Sequence, residues 1–229
     1  MTPATENGLA ATFRDGLVAL QLELDAAQQS LLLRHLALIE RWNRVYNLTA
    51  VREPSQMLTQ HLLDSLATVR PLRQMLANNH WQGEFSLLDV GSGAGLPGVS
   101  IAVACPEWSM TCVDAVGKKA AFIRQTGAEL GLRNLAVTHS RVEALAPKPW
   151  QVIISRAFAS LGGFTSLTAP LLAPNGVWLA MKGQVPNDEI EQLPKDVEVF
   201  HVEPLKIPRL DAERCIVWMR KRSNMQPPA

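Results

Sequence analysis

The sequence predicts an α/β fold, a seven-stranded and mostly parallel sheet that ends in an antiparallel hairpin, with a helical cap at its N-terminus. Three observations predict it. An apolar run that closes on an acid, Leu87-Leu88-Asp89-Val90, leads through Gly91, Gly93, Gly95 and Gly98 into an apolar helix pattern at 99–104. Strand patterns recur at 109–114, 136–139, 151–155 and 177–181 with helix- or turn-forming segments between them, as in a parallel sheet. Two late alternating stretches, 197–202 and 214–219, have no convincing helix between them and so pair antiparallel.

The glycine bend carries the functional argument. A side chain there would hold the backbone away from a ligand and forbid positive φ, and the helix that follows offers unpaired N–H groups. Two cofactor classes share this geometry. Gly93-x-Gly95-x-x-Gly98, with Asp114 about 20 residues on, matches the dinucleotide fingerprint of an NAD-dependent oxidoreductase. Asp89 tilts the choice. A carboxylate at the mouth of the bend repels a pyrophosphate and favours the cationic sulfonium and amino group of S-adenosylmethionine (SAM). The late hairpin points the same way, because a parallel sheet finished by an antiparallel pair is the class I SAM-methyltransferase version of the Rossmann-like fold.

At 229 residues the chain can hold one large domain with an appendage, or at most two small ones. Apolar residues make up 47% and charged residues 19%, the balance of a folded globular protein. The net charge of +1 supplies no general attraction to phosphate, so nucleic-acid binding requires a local basic face. Cys105, Cys112 and Cys215 form no C-x-x-C pair and read as reduced core thiols. No metal-ligand cluster stands out. No apolar run approaches the roughly 18 residues that span a bilayer, and no signal segment opens the chain, so a cytoplasmic protein without membrane contact is expected.

In chain order, Leu9, Phe13, Leu17, Leu20 and Leu24 predict an amphipathic helix over 9–24. Asp25 and Gln28 make a capping box for a second helix over 26–46, buried along Leu32, Leu36, Ile39 and Trp42-Asn43. Arg34, Arg41 and Arg44 lie off that stripe, where a solvated face is commoner than a phosphate contact. Asn47-Leu48-Thr49-Ala50 ends this helix and Pro54 starts another. His61 and Asp64 fall one turn apart on it, spaced for an acid–base pair or, more commonly, a structural one. Asn78-Asn79-His80 and Gly83 mark a boundary between an extension, 1–80, and a methyltransferase domain, 81–229.

Beyond the bend, Asp114 ends the second strand beside Asp89, at the rim where it can accept both ribose hydroxyls. The next helix runs from Lys118 to Leu132, with Gly131 as its C-cap. Ser140-Arg141-Val142-Glu143 follows the third strand, where a nucleoside pocket sits over adenine. Arg156 follows the fourth, where a guanidinium can hold a methionine carboxylate or a nucleic-acid backbone, or make a plain surface ion pair. Phe164 to Leu172 is expected to be helical, and Pro174-Asn175-Gly176 turns into the fifth strand, which ends at Lys182-Gly183.

Methyl transfer from a sulfonium is an in-line displacement, so the protein chiefly aligns a lone pair behind the methyl carbon and excludes water. Ser155-Arg156-Ala157-Phe158 lacks the Pro-Pro of enzymes that methylate exocyclic base amines. Cytosine C5 requires a cysteine nucleophile, and no cysteine reaches that rim. Guanine N7 exposes a lone pair that needs no deprotonation, consistent with the lack of an evident general base. A non-catalytic SAM-binding RNA module is a further alternative.

Six ordered blocks resemble the RsmG (GidB) family of rRNA methyltransferases. They are Asn47-Leu48-Thr49-Ala50, His61 to Leu66, Asp89 to Gly98, Ser140 to Glu143, Ser155 to Leu161 and Met181-Lys182-Gly183. The resemblance implies a bacterial enzyme that uses SAM to methylate N7 of a guanine in the 530 loop of 16S rRNA, position 527 in the usual rRNA numbering. Its partner is then 16S rRNA or the small ribosomal subunit, with no obligate protein partner evident. By position it implies cofactor contacts for Gly91, Leu96, Val142, Glu143 and Arg156. Asp89, Gly93 and Asp114 join them on the argument above. It also gives His61, Asp64, Arg141 and Lys182, with Arg156, a claim as catalytic candidates without a chemical step for any. Val116-Gly117 departs from the more polar turn expected there, and 1–6 lies outside the match.

Overall fold

The computed structural model describes residues 3–79 and 84–222. The domain boundary expected at 80–83 and the polar tail 223–229 lie outside the described residues. Seven strands form one sheet in the order β3-β2-β1-β4-β5-β7-β6. They are β1 (Ser86–Val90), β2 (Ser109–Asp114), β3 (Leu135–His139), β4 (Trp150–Ser155), β5 (Leu172–Lys182), β6 (Val197–Pro204) and β7 (Cys215–Lys221). The first five pair in parallel, and β7 runs antiparallel to both β5 and β6. This is the sheet the sequence predicts. The centre of the strand order switches between β1 and β4, and the carboxyl edge of such a switch is where open α/β sheets place ligands.

The strands read as continuous apolar runs because both faces are covered. Leu87, Met110, Cys112, Ile154 and Leu179 point into one core, while Leu88, Val113, Ile153 and Trp178 point into the other. The first core also holds Phe13 and Leu17 of α1 (Pro3–Ala19) and Leu32, Leu36 and Ile39 of α2 (Ala26–Tyr46). It takes Met57 from α3 (Pro54–Met57), Leu58, Leu62 and Leu63 from the π-helical segment Leu58–Leu63 that continues it, and Leu66 from α4 (Asp64–Leu66). The helix α5 (Val69–Asn79) then leads to β1. Beneath these pack α6 (Gly98–Ala104) and α7 (Gly117–Leu130), whereas α8 (Leu161–Thr168) covers the opposite face. A short α9 (Asn187–Glu191), not expected from sequence, follows β5.

The capping box is formed, with Gln28 N donating to Asp25 Oδ1 at 2.7 Å and Asp25 N to Gln28 Oε1 at 3.0 Å. Gly131 caps α7 in the left-handed region at φ 68°. All three cysteines are free and buried. Three expectations need correction. The first helix stops at Ala19, because Gln21 turns left-handed at φ 55° and the chain doubles back, so Leu24 is buried from a loop. Helix α8 closes at Thr168 before a 3₁₀ turn over Ala169–Leu171, since Pro170 cannot supply an amide to continue it. Pro174-Asn175-Gly176 interrupts a strand already begun at Leu172: the register shifts between Trp150 and Val152, so the turn residues form a bulge inside β5.

Candidate active site at the carboxyl edge of the sheet

The loop after β1 is pinned backbone to backbone. Gly91 N donates to Val113 O at 2.9 Å, and Gly95 N and Leu96 N both donate to Ser92 O, at 2.8 and 3.0 Å. Closing a turn this tight places Gly91, Gly93 and Gly95 at φ of 71°, 57° and 75°, a region L side chains rarely occupy. Gly98 is required for another reason. A Cβ there would land on the Cys112 sulfur and 2.8 Å from Asp89 Oδ2, so this glycine lets α6 approach the sheet.

Asp89 lies beneath that approach and not at the mouth of the bend. Its carboxylate is fully buried, and Oδ2 accepts from Gly98 N at 2.9 Å, fixing the start of α6. Oδ1 has no hydrogen-bond partner. Burial pushes its pKa up to about 6, against the opposing pull of the Gly98 amide and Ser92. The electrostatic contrast between a sulfonium and a pyrophosphate therefore does not operate through a carboxylate facing the ligand. The sheet order and the family relationship below carry the distinction from dinucleotide enzymes instead.

A cavity of about 350 Å³ opens over the loop, lined among others by Gly91, Asp114, Arg141, Val142, Glu143 and Phe158. Asp114 ends β2 with both oxygens engaged, Oδ2 by Gly93 N at 2.9 Å and Oδ1 by Val116 N at 2.8 Å. Each oxygen retains a second acceptor direction. Val142 offers a buried apolar wall. Glu143 stands at the mouth, 3.8 Å from the exposed Arg141. The Phe158 ring lies across Gly91, where a Cβ would sit 3.0 Å from it. A carboxylate, an apolar wall, an aromatic face and a glycine backbone without side chains suit an adenosyl group. Gly93 does not line the cavity and serves it through the amide that holds Asp114, whereas Leu96 is buried and, like Asp89, does not line it either. Larger depressions, of 550 and 650 Å³, lie elsewhere and contain no acid at a parallel strand end.

Phe158 also lines a small depression at the ends of β4 and β5 with Ser155, Arg156 and Lys182. Behind it, Asp64 holds two guanidinium groups: Arg214 Nε donates to Oδ1 at 3.1 Å, and Arg156 Nη1 lies 3.5 Å from Oδ2. Arg156 Nη1 also donates to Gln60 O at 3.1 Å. Burial raises the Asp64 pKa and outweighs the two arginines, which pull it down. His61 makes no pair with Asp64. Its Nε2 hydrogen-bonds Thr49 Oγ1 at 2.7 Å, and burial first, then the Arg156 charge, lowers its pKa to about 4. Lys182 Nζ contacts both oxygens of Glu189 at 2.9 Å. Glu189 Oε2 in turn accepts from Leu161 N at 2.6 Å, tying β5 to α8.

Two residues that the sequence reading did not single out belong to this region. Arg214 immediately precedes the last strand, and its signal was that place beside an alternating strand pattern. His35 sits inside the apolar stripe of α2, three residues after Leu32, and its Nε2 reaches Ala94 O of the glycine loop at 3.0 Å. A histidine within an otherwise apolar helix face was the available signal.

The sheet order, the glycine bend on β1 and the acid ending β2 define a Rossmann-like class I methyltransferase whose methyl donor is SAM. The fold resembles a SAM-dependent methyltransferase from Aquifex aeolicus, with a TM-score of 0.52 and 15% identity over 72% of this chain and 92% of that one. Residues 28–217 match the family model for GidB, rRNA small subunit methyltransferase G, and the chain belongs to that family of rRNA methyltransferases. It is 62% identical to ribosomal RNA small subunit methyltransferase G of Methylibium petroleiphilum, over 97% of this chain and 99% of that protein. It is 55% identical to the protein of that name from Acidovorax ebreus, over 96% and 99%. No helix among the described residues is long and apolar enough to cross a membrane.

Proposed function

We propose that this protein methylates N7 of a guanine in the 530 loop of 16S rRNA, position 527, by direct in-line displacement, acting in the cytoplasm on the rRNA or the small subunit. The observation that carries this reading is the condition of the ionisable groups beside the cavity. Asp64 is engaged by two arginines, and His61 is bonded to Thr49 with its pKa lowered to about 4. Both are buried and neither lines the cavity, so neither is placed to take a proton from an exocyclic amine. N7 already carries its lone pair in the plane of the ring and asks for no such base.

SAM, when bound, supplies a methyl group activated by its sulfonium. Asp114 is suited to accept the ribose hydroxyls while keeping the Gly93 amide in place. Val142 and Phe158 would sandwich the purine and exclude water, and Glu143 would meet its edge. Gly91 leaves the methionine portion room against the backbone. Arg156, held by Asp64 and the Gln60 carbonyl, lines the small depression that shares Phe158 with the cavity and would meet a carboxylate or phosphate there. Arg141 and Lys182 fall on the side where an RNA acceptor would approach. Asp89 and Leu96 act beneath the loop as supports and not as contacts. We further propose that the chain divides into a helical extension, 1–80, and a methyltransferase domain, 81–229, on the support that helices within the described residues 3–79 share a core with the sheet.

The test is to map modified nucleotides in 16S rRNA from cells with and without the gene, and in rRNA incubated with the protein and SAM. N7-methylguanine in the 530 loop, lost with the gene and restored by the protein, is expected. A methyl group elsewhere, or none, overturns the assignment.

A further inference from the structure

The cofactor loop is held from outside the cofactor domain. We propose that His35, on the N-terminal helix α2, is a positioning residue that sets the glycine loop for SAM binding through its hydrogen bond to the Ala94 carbonyl; this rests on the SAM-dependent reading above.

Ala94 lies between Gly93 and Gly95, two residues whose left-handed backbone has no side chain to restrain it. The Ala94 carbonyl can only accept, so the His35 proton sits on Nε2 and points into the loop at 3.0 Å. The imidazole is fully buried, lies against Phe122 of α7 with ring centroids 6.4 Å apart at 24°, and leaves Nδ1 without a partner. Burial keeps the ring neutral by lowering its pKa to about 4. An aliphatic or aromatic residue would fill this site without an orphaned nitrogen. The polar ring is therefore explained by the bond it makes to the loop.

The same helix also grips the far end of the loop–helix unit. Gln28 Nε2 donates to Val103 O at 2.9 Å and to Ala104 O at 3.3 Å, at the carboxyl end of α6. Asp89 holds the start of α6 from the sheet side. With both ends of α6 fixed and backbone bonds closing the loop on either side of Ala94, His35 adds the side-chain hold on the Ala94 carbonyl between them. A loop populated in its binding shape for only part of the time lowers apparent affinity by that fraction.

The test uses the full chain with His35→Phe, which keeps ring volume and removes the donor, and His35→Gln, whose amide nitrogen replaces Nε2. SAM affinity is read by calorimetry and Tm by thermal melting. We expect His35→Phe to weaken SAM binding about five- to tenfold, the worth of one net hydrogen bond, and His35→Gln to recover most of it. Wild-type affinity in His35→Phe overturns the assignment, as does equal weakening in both variants that tracks Tm. Should His35→Phe fail to fold, amide exchange at Gly95 and Leu96 in His35→Gln decides. Wild-type protection supports the role; lost protection with wild-type SAM affinity overturns it. Absence of SAM binding by the wild-type protein instead brings down the parent reading, and with it this one.

Discussion

Asp64 Oδ1 accepts from Arg214 Nε at 3.1 Å across 150 positions of chain, joining the helical extension to the first residue ahead of the last strand. Arg156 reaches the other carboxylate oxygen at 3.5 Å. Asp64→Ala leaves two part-buried guanidinium groups facing each other with no counter-charge. It should cost about 3 kcal/mol, the usual penalty for breaking one side of a buried ion pair. Urea denaturation measures it, and a loss under about 1 kcal/mol would show that the arginines find water or other partners instead.

Asp114→Ala should weaken SAM binding by about ten- to a hundredfold, since it removes the acceptors proposed for ribose and frees the Gly93 amide. Packing around Asp114 is otherwise unchanged, so the far-UV spectrum should be that of the wild type. Calorimetry that returns an unaltered Kd for the folded variant removes Asp114 from the cofactor site.

Gly98→Ala should destabilise the protein by about 2 kcal/mol, because the new methyl meets the Cys112 sulfur and Asp89 Oδ2 in a packed interior. Pairing it with Cys112→Ala opens space on one side. The double variant should recover part of the loss, a coupling a double-mutant cycle reads directly. Strict additivity would mean the clash is relieved by movement of α6.

The pH dependence of stability should expose His61. Its folded-state pKa is lowered to about 4 from an ordinary 6.5, chiefly by burial. Between those values the unfolded chain takes up a proton that the folded chain refuses. The stability linked to His61 is thus fully present above about pH 6.5 and drains away as pH falls toward 4, by on the order of 3 kcal/mol. Relative to wild type, His61→Gln should therefore fare progressively better as the pH drops through that window. Parallel stability curves for the two proteins would contradict the shift.

Much of the architecture was legible because it is written in short-range pattern. Asp25 and Gln28 are three residues apart, and their reciprocal bonds follow from the helix start alone. Gly91, Gly93 and Gly95 announced a turn that only their φ values permit. Gly91, Asp114, Val142 and Glu143 converge on one cavity because parallel strands deliver their carboxyl ends to one rim. The direction of the Asp89 side chain was not legible. Strand alternation tells which face a residue takes, but not that α6 would come close enough for its first amide to claim the carboxylate.

By itself, then, the amino-acid order determined most of the elements, their sequence and the rim on which ligand-facing residues gather, since hydrophobic period and turn chemistry act over a few residues. Only the tertiary structure decided which charges meet. His61 and Asp64, one turn apart, ignore each other for Thr49, Arg156 and Arg214, and His35 leaves its own helix to bond Ala94. A buried polar group settles on whatever partner the packed interior brings within 3 Å or so, because away from water an unmatched one is costly. That proximity is a property of the assembled layers, and no local run of residues contains it.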